Sequence, residues 1–330
     1  MKTASSRPKK DGFVLVLVLG IILVLAALLF EFNHDSLLYL RRTEKLKKQQ
    51  QSLNCASAGL NIAIAAIGAK PDICVGGAPE GAFSAEHIFD VCGGQCKVTI
   101  SEENGRLNVN FLKNKNGTLN RTAIDQMLNI LDITNRNNEQ DLRIGYGLVP
   151  ALIDWVDGDD DVTELPFIRD ESVGAESAYY KGLSAGYQCE NRPFHSIEQL
   201  LLVRQITPEV FEALRDTVTV YGDGKININT APRIVIQSFS PEISETLAEL
   251  IIRYRTLQPF ESLAQVRDVP GMTDAVYYAI QRAATTNPSD RFYRISAAGA
   301  VDESTCTVTA VVHRNTRTNK IELLYYRELS

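Results

Sequence analysis

The chain has 330 residues, 45% hydrophobic and 22% charged, a composition that folds and excludes the disordered class. Its formal charge is −6; residues 1–12 hold four basic and one acidic side chain, so the remainder carries −9 and makes a poor polyanion binder. The length leaves room for an anchor plus one large or two modest domains.

The first element is the uncharged apolar run from Phe13 to Phe30. As a helix it spans about 27 Å, close to the hydrocarbon thickness of a bilayer. Lys2, Arg7, Lys9 and Lys10 precede it, so the positive-inside bias puts the N-terminus in the cytoplasm and everything after Glu31 on the far side. A secretory signal peptide shares this charge order, but Ala26-Ala27-Leu28 runs on into Leu29-Phe30 and makes a poor cleavage site. A plain anchor explains the hydropathy but not why Gly12 meets Phe13 at the membrane face. That junction resembles the site cut by the prepilin peptidase in type IV pilin-like precursors. Counting from Phe13, the fifth residue is Leu17, where most pilin-like proteins carry a Glu that pairs with the amino terminus of a neighbouring subunit. A subunit without it suits the end of a filament.

The helical pattern continues past the membrane. Leu46, Leu53, Leu60 and Ile67 recur every seven residues, with Arg41, Arg42, Lys45, Lys47 and Lys48 on other faces, and Gly68 and Pro71 end the run. One helix of about 55 residues and about 80 Å is predicted, half in the membrane and half against a globular domain. A coiled-coil stalk is the alternative, on a short ladder. Residues 70–95 are Gly-rich and read as a loop. Of the six cysteines, Cys74, Cys92 and Cys96 share this segment and are the disulfide candidates, since bridges persist in an exported domain. Zinc is disfavoured at Cys92-Gly-Gly-Gln-Cys96, which lacks the usual two-residue spacing and a neighbouring His.

Lys97–Ser101 and Arg106–Phe111 alternate around Glu102-Glu103-Asn104-Gly105, which predicts a β-hairpin. From Arg121 to about Ala284 the period is helical. Phe292–Ala298, Thr305–His313 and Lys320–Arg327 then read as three strands. The fold class is therefore α+β: a pilin-like fold with a long N-terminal transmembrane helix, an antiparallel sheet and a large inserted α-helical domain. The expected divisions are a leader at 1–12, the span at 13–32, its continuation at 33–69, the first part of the β domain at 70–118, the insertion at 119–287 and the last strands at 288–330.

Within the insertion, Leu152-Ile-Asp-Trp-Val-Asp-Gly-Asp-Asp-Asp161 packs five carboxylates into eight residues, a density that repels itself without a cation. Asp157, Asp159 and Asp161 have the alternating spacing that lets one turn aim several oxygens at a hard ion such as Ca²⁺. This is not an EF-hand: Val162 stands where Gly is needed and Ile168 where the bidentate Glu belongs. Glu176 and Glu171 follow within reach, and Asp154 and Asp160 complete the candidate set. The alternative is a solvated acidic turn with Asp154 capping a helix. Glycosidase chemistry is disfavoured because these acids share one loop rather than opposed elements.

An internal repeat follows. Phe194–Leu214 aligns without gaps to Phe260–Ile280, each copy a Ser-capped helix, a tight turn and a second helix. The unit resembles a helix-hairpin-helix, which raises a rival reading: a membrane-anchored DNA-binding protein offering hairpin amides to phosphate. Its needs are poorly met. The first hairpin has Arg204-Gln205-Ile206 without glycine, the second only Gly271, and nearby acids match the arginines. Nothing argues for an enzyme, since none of the four His has a neighbouring nucleophile pattern.

The order of Gly12-Phe13, Leu17, Leu152-Ile-Asp-Trp-Val-Asp157, Gly174-Ala-Glu176 with Tyr179-Tyr180, Asn191-Arg-Pro-Phe194, Ser196-Ile-Glu-Gln-Leu200 and Tyr221-Gly-Asp-Gly-Lys-Ile-Asn-Ile-Asn-Thr-Ala231 resembles the K-type minor pseudopilins of bacterial type II secretion systems. The resemblance implies a non-enzymatic subunit, cut at Gly12 by the prepilin peptidase and N-methylated at Phe13. It would join I- and J-type minor pseudopilins at the tip of a periplasmic pseudopilus, with contact to secreted substrates or the outer-membrane secretin left open. It also implies calcium in the α domain, on Asp157, Asp159, Asp161 and then Glu176, and an inner-membrane location.

Overall fold

The computed structural model describes residues 11–69, 87–114, 116–137, 143–168 and 172–329, with Asp11 and Gly12 as backbone only. The leader before Asp11, Cys74 and Glu171 therefore lie outside the described residues. Helix α1 (Asp11–Ala69) runs unbroken for 59 residues, about 88 Å at 1.5 Å per residue. Its N-terminal half is long and apolar enough to cross a membrane, and none of that window is buried in protein.

Its C-terminal half lies on a five-stranded antiparallel sheet. The strands are β1 (His87–Val91), β2 (Gly94–Glu102), β7 (Asp290–Val301), β8 (Ser304–Asn315) and β9 (Ile321–Leu329), in that order across the sheet. Ala56, Leu60, Ala63 and Ile67 of the helix pack on Cys96, Val98 and Ile100 of β2, Tyr293, Ile295 and Ala297 of β7, and Val308, Ala310 and Val312 of β8. Leu60 and Ile67 of the predicted heptad ladder are buried here, whereas Leu46 lies before the sheet and is exposed. The approach is close because small residues face each other. A β-carbon added at Gly299 would lie 2.1 Å from the Ser52 carbonyl oxygen, and one at Gly59 would lie 2.2 Å from Cys96 Sγ.

Helix and sheet share a polarity. Lys48 pairs with Asp302, in the β7–β8 turn, at 2.9 Å, while Arg314 Nη2 donates to the Gly68 carbonyl at 3.4 Å. The other end of β7 therefore sits by the end of α1 farthest from the apolar run. There, between the neighbouring strands β2 and β7, the whole helical insertion enters and leaves.

The insertion contains β3 (Leu107–Asn108), α2 (Arg121–Asn137), α3 (Leu148–Val156), α4 (Ser177–Lys181), α5 (Pro208–Leu214), β4 (Val218–Thr219), β5 (Ile226–Asn227), α6 (Arg233–Ser238), α7 (Glu245–Leu257), α8 (Asp274–Ala283) and β6 (Ala284–Thr285). It has a core of its own, which includes Met127, Ile130, Leu152, Trp155, Ile228, Ile251 and Ile280. The first helix of each repeat copy is a six-residue 3₁₀ turn, Ile197–Leu202 and Leu263–Asp268, rather than an α-helix. A capping box at Ser196/Gln199 and Ser262/Gln265 starts each turn, and an extended Val203 or Val269, the latter before Pro270, stops it.

Two expectations need correction. The hairpin is β1–β2, turning at Cys92-Gly93, so residues 87–95 are strand and turn rather than loop. The second predicted strand does not pair with β2; β3 pairs in parallel with β4. The reason is that Glu102-Glu103-Asn104-Gly105 is a buried junction and not an exposed turn. Glu103 Oε1 accepts from Arg106 Nη1 at 2.5 Å and Arg294 Nε at 2.7 Å, and Oε2 accepts from the Thr219 hydroxyl at 2.5 Å. Asn104 Nδ2 donates to the Asp290 carbonyl and its Oδ1 accepts from Phe292 N, suturing the entry of the insertion to its exit. Gly105 abuts the Thr230 carbonyl, 2.6 Å from where a β-carbon would stand.

Burial by itself opposes ionisation of Glu103, and the guanidiniums of Arg106 and Arg294 outweigh it, holding the carboxyl below its ordinary 4.5. A depressed folded pKa stabilises above the unfolded value, and that stability is lost as pH falls through the folded one. Glu103→Ala, which leaves two buried guanidiniums without their carboxylate, should cost about 3–5 kcal/mol in urea denaturation. The wild-type protein should lose stability on acidification below about pH 4.5, a decline the variant lacks.

Candidate metal centre

Helix α3 ends at Asp157, which turns extended while its amide still donates to the Ile153 carbonyl at 3.0 Å. The chain then forms an exposed acidic loop in which Asp161 N donates to Asp159 Oδ1 at 3.0 Å. Facing it, Glu176 caps α4, its Oε2 accepting from Ser177 N at 3.3 Å. One carboxylate oxygen each from Asp157, Asp159 and Glu176 come within 4.8 Å of one another. An aromatic wall stands behind them: Trp155 stacks parallel on Phe194 at 6.2 Å and meets Tyr180 edge-on at 5.1 Å. The adjoining Cys189 thiol is pushed up to about 12 by burial and stays neutral.

Burial leaves several oxygens here without a donor. Asp154 Oδ2, Asp157 Oδ1, Glu176 Oε1 and Asn191 Oδ1 are buried and accept no hydrogen bond. Asp154 Oδ1 is satisfied by Thr163 N at 2.9 Å, and Gly174 is needed beside it, since a β-carbon there would lie 2.1 Å from Asp154 Oδ2. Lys113 reaches in, its Nζ 2.6 Å from Asp157 Oδ2 and 3.7 Å from Asp159 Oδ2. Burial works against the Lys113 charge, yet the hydrogen bond to Asp157 prevails and raises its pKa. One ammonium does not balance the set. Burial, then the charges of Asp154 and Asp157, push Glu176 up to about 8, and burial also raises Asp154 and Asp157. Hard oxygens that lack donors and positive charge suit a divalent cation. The Asp157, Asp159 and Glu176 cluster is thus able to hold a metal ion.

Of the residues singled out in the sequence, these three come together, with Asp154 at their border. The Asp161 carboxylate is not in the cluster; its amide instead shapes the loop. Asp160 Oδ1 accepts from Asn191 Nδ2 at 3.3 Å. Asn191 and Lys113 were not expected. Asn191 had a signal: it opens a quoted motif, and its φ of +49° is a left-handed conformation that Asn tolerates. Lys113 lies 44 residues from Asp157 and carried none.

A family model described as type II secretion system (T2SS), protein K, matches residues 105–223, the segment that holds this cluster. A model of the helix-hairpin-helix motif matches residues 222–285. The type II secretion system protein K of Pseudomonas aeruginosa (strain PAO1) is 27% identical over 170 residues, 52% of this chain and 47% of the relative. Residues 105–223 are thus similar to the type II secretion system protein K family. The match spans about half the length of that relative. A chain in the crystal structure of the GspK-GspI-GspJ complex from the enterotoxigenic Escherichia coli type 2 secretion system shares the fold, with a TM-score of 0.66 at 15% identity, covering 88% of this chain and 99% of that one.

The folded state holds the Glu176 proton to higher pH than the unfolded chain does. Its contribution is therefore favourable below 4.5 and lost as pH rises toward about 8. In the presence of a chelator, calorimetry should find the melting temperature falling across that interval. Glu176→Gln, which cannot ionise, should flatten it.

Proposed function

We propose that this protein is a minor pseudopilin that sits at the tip of the periplasmic pseudopilus of a type II secretion system and acts as a structural part rather than an enzyme. It is anchored in the bacterial inner membrane by α1, with its N-terminus in the cytoplasm and its sheet and insertion in the periplasm. Its partners are I- and J-type minor pseudopilins, as in the complex whose chain it resembles. The prepilin peptidase removes residues 1–12, leaving Phe13 as the N-methylated first residue.

One observation carries the placement. The insertion leaves the sheet at the end of α1 farthest from the apolar run, so the bulkiest part of the molecule lies beyond the filament-forming helix. A subunit stacked above would meet it. Leu17 supports the same reading, because it offers no carboxylate to a neighbour's amino terminus.

Calcium is the ion the candidate cluster suits best, with Asp157, Asp159 and Glu176 as ligands, Asp154 and the Asn191 amide oxygen beside them, and Asp161 and Glu171 as outer members of the loop. Bound there, it would neutralise the loop and fix the turn after α3 against α4. The helix-hairpin-helix units serve packing. Val203, Val210, Leu214, Val266, Val276 and Ile280 are buried in the insertion core, and nearby arginines already pair, Arg215 with Glu212, Arg233 with Glu245 and Arg267 with Asp274.

Two measurements test this. Mass spectrometry of the mature protein should find an N-terminus at methylated Phe13 in cells with the prepilin peptidase and an intact leader without it; an intact leader in both contradicts the assignment. Calcium at a hundredfold its dissociation constant should add about 2.7 kcal/mol of stability, and Asp157→Ala combined with Asp159→Ala should abolish the gain.

A further inference from the structure

Three thiols gather where the edge hairpin of the sheet meets α1. Cys55 is buried on the helix, Cys92 is exposed in the β1–β2 turn, and Cys96 is buried on β2. The turn lies down on the helix: Gln51 Nε2 donates to the Cys92 carbonyl at 2.9 Å, and the Cys55 thiol to the Val91 carbonyl at 3.0 Å. The Cys92 thiol faces the Asn54 carbonyl at 3.9 Å. The two contacts are reciprocal, Cys55 facing the carbonyl of the residue before Cys92 and Cys92 the carbonyl of the residue before Cys55.

Turn chemistry gives no reason for a cysteine at this place. Cys92 and Gly93 both have positive φ, +55° and +74°, the two-residue hairpin geometry that Asn-Gly fills best. Cys92 therefore stands where turn geometry favours Asn.

Other pairings fit less well. Cys96 is in register with Gly299, which pairs with Cys306, so two strand spacings, about 9.5 Å, separate these cysteines, beyond disulfide reach. Cys189 is in the insertion against the Asp154 carbonyl. Cys96 is sealed under the helix at Gly59, where an oxidant cannot reach it, whereas Cys92 is open to solvent.

We propose that Cys55 and Cys92 form a disulfide that staples the membrane helix to the edge hairpin, an inference that rests on the exported placement proposed above. The co-reactant is a disulfide-bearing oxidant, a thiol–disulfide oxidase of the exterior compartment or glutathione disulfide. The Cys92 thiolate attacks its S–S bond and one of its sulfurs leaves as a thiol. The Cys55 thiolate then attacks the mixed disulfide at Cys92 Sγ and expels the second. One S–S bond forms and one breaks, two electrons pass to the oxidant, and the two protons lost by the cysteines end on its thiols. The staple holds β1, which pairs only with β2 among the described strands and is half-buried.

The test is disulfide mapping of the full-length protein from cells whose thiols are alkylated at lysis, digested without reductant and read by mass spectrometry. Cys55 and Cys92 should be found joined, lighter by two hydrogens and unalkylated, with Cys96 alkylated. Cys55→Ser and Cys92→Ser should each expose the other thiol to alkylation. Cys92 joined to Cys74 or Cys96 would overturn the pairing. The same digest on protein that was reduced, purified and reoxidised with glutathione disulfide separates the premises. A Cys55–Cys92 bond formed there but not in cells overturns the exported placement, whereas its absence from both overturns the pairing.

Discussion

The fold depends on a buried carboxylate. β2 and β7 are adjacent strands in continuous register from Gln95↔Ala300 to Glu102↔Tyr293, yet the chain between them builds the helical insertion before it returns. Two neighbouring strands normally meet through a short turn. Here Glu103 closes the gap, binding Arg106 from the outgoing segment, Arg294 from the returning strand and Thr219 from the insertion. Asn227 Nδ2 adds a bond to the carboxylate of Glu102. Apolar packing could fill the same space but would not fix which side chain lies opposite which. A charge-assisted network accepts one arrangement, because any other leaves a buried charge unpaired.

That junction also keeps two cores apart. One is formed by α1 and the inner face of the sheet, the other by the helices of the insertion, and the polar seam lies between them. The helix side of the first core needs small residues, since Gly299 and Gly59 bring backbone and sulfur closer than any side chain would allow. The second core is fixed instead around Trp155, whose ring is held by Phe194 and Tyr180 and whose helix delivers Asp154 and Asp157 to the acidic cluster. Aromatic rigidity behind the carboxylates keeps them together despite their repulsion, and the Lys113 ammonium relieves only part of it.

Much of this was legible because it is local. The apolar run, the alternation of the last three strands and the density of acids after Trp155 each declare themselves within a window of ten or twenty residues. What was missed depends on residues distant in sequence. Glu102-Glu103-Asn104-Gly105 has the composition of an exposed turn, and only Arg294 and Thr219, far along the chain, make it a buried junction. β1 has the strand formers Ile88, Phe89 and Val91, but at five residues beside a Gly- and Cys-rich stretch it was hidden until its pairing with β2 was seen. Cys55 read as one more helical residue until the hairpin was laid on it, and Lys113 gave no hint that it would reach the acidic loop.

The two repeats share one frame and bind their turn groups within the chain. Both copies retain the capping box and a Thr that caps the second helix, Thr207 and Thr273, so the sequence signature survives intact. A hairpin that binds phosphate must present free backbone amides at its turn. In the first copy the Arg204 amide donates to the Tyr180 hydroxyl at 3.3 Å, and the Tyr187 hydroxyl donates to the Leu202 carbonyl. The turn is thereby docked onto the aromatic wall behind the acidic cluster. In the second, Gly271 takes φ +90°, but the following amide, of Met272, closes back on the Val269 carbonyl. Arg267, the cation best placed beside that turn, lies over the Tyr277 ring at 3.9 Å and pairs with Asp274. The Arg204 and Met272 amides and the Arg267 guanidinium are thus spent on internal structure, and the first turn packs against the aromatic wall that backs the acidic loop.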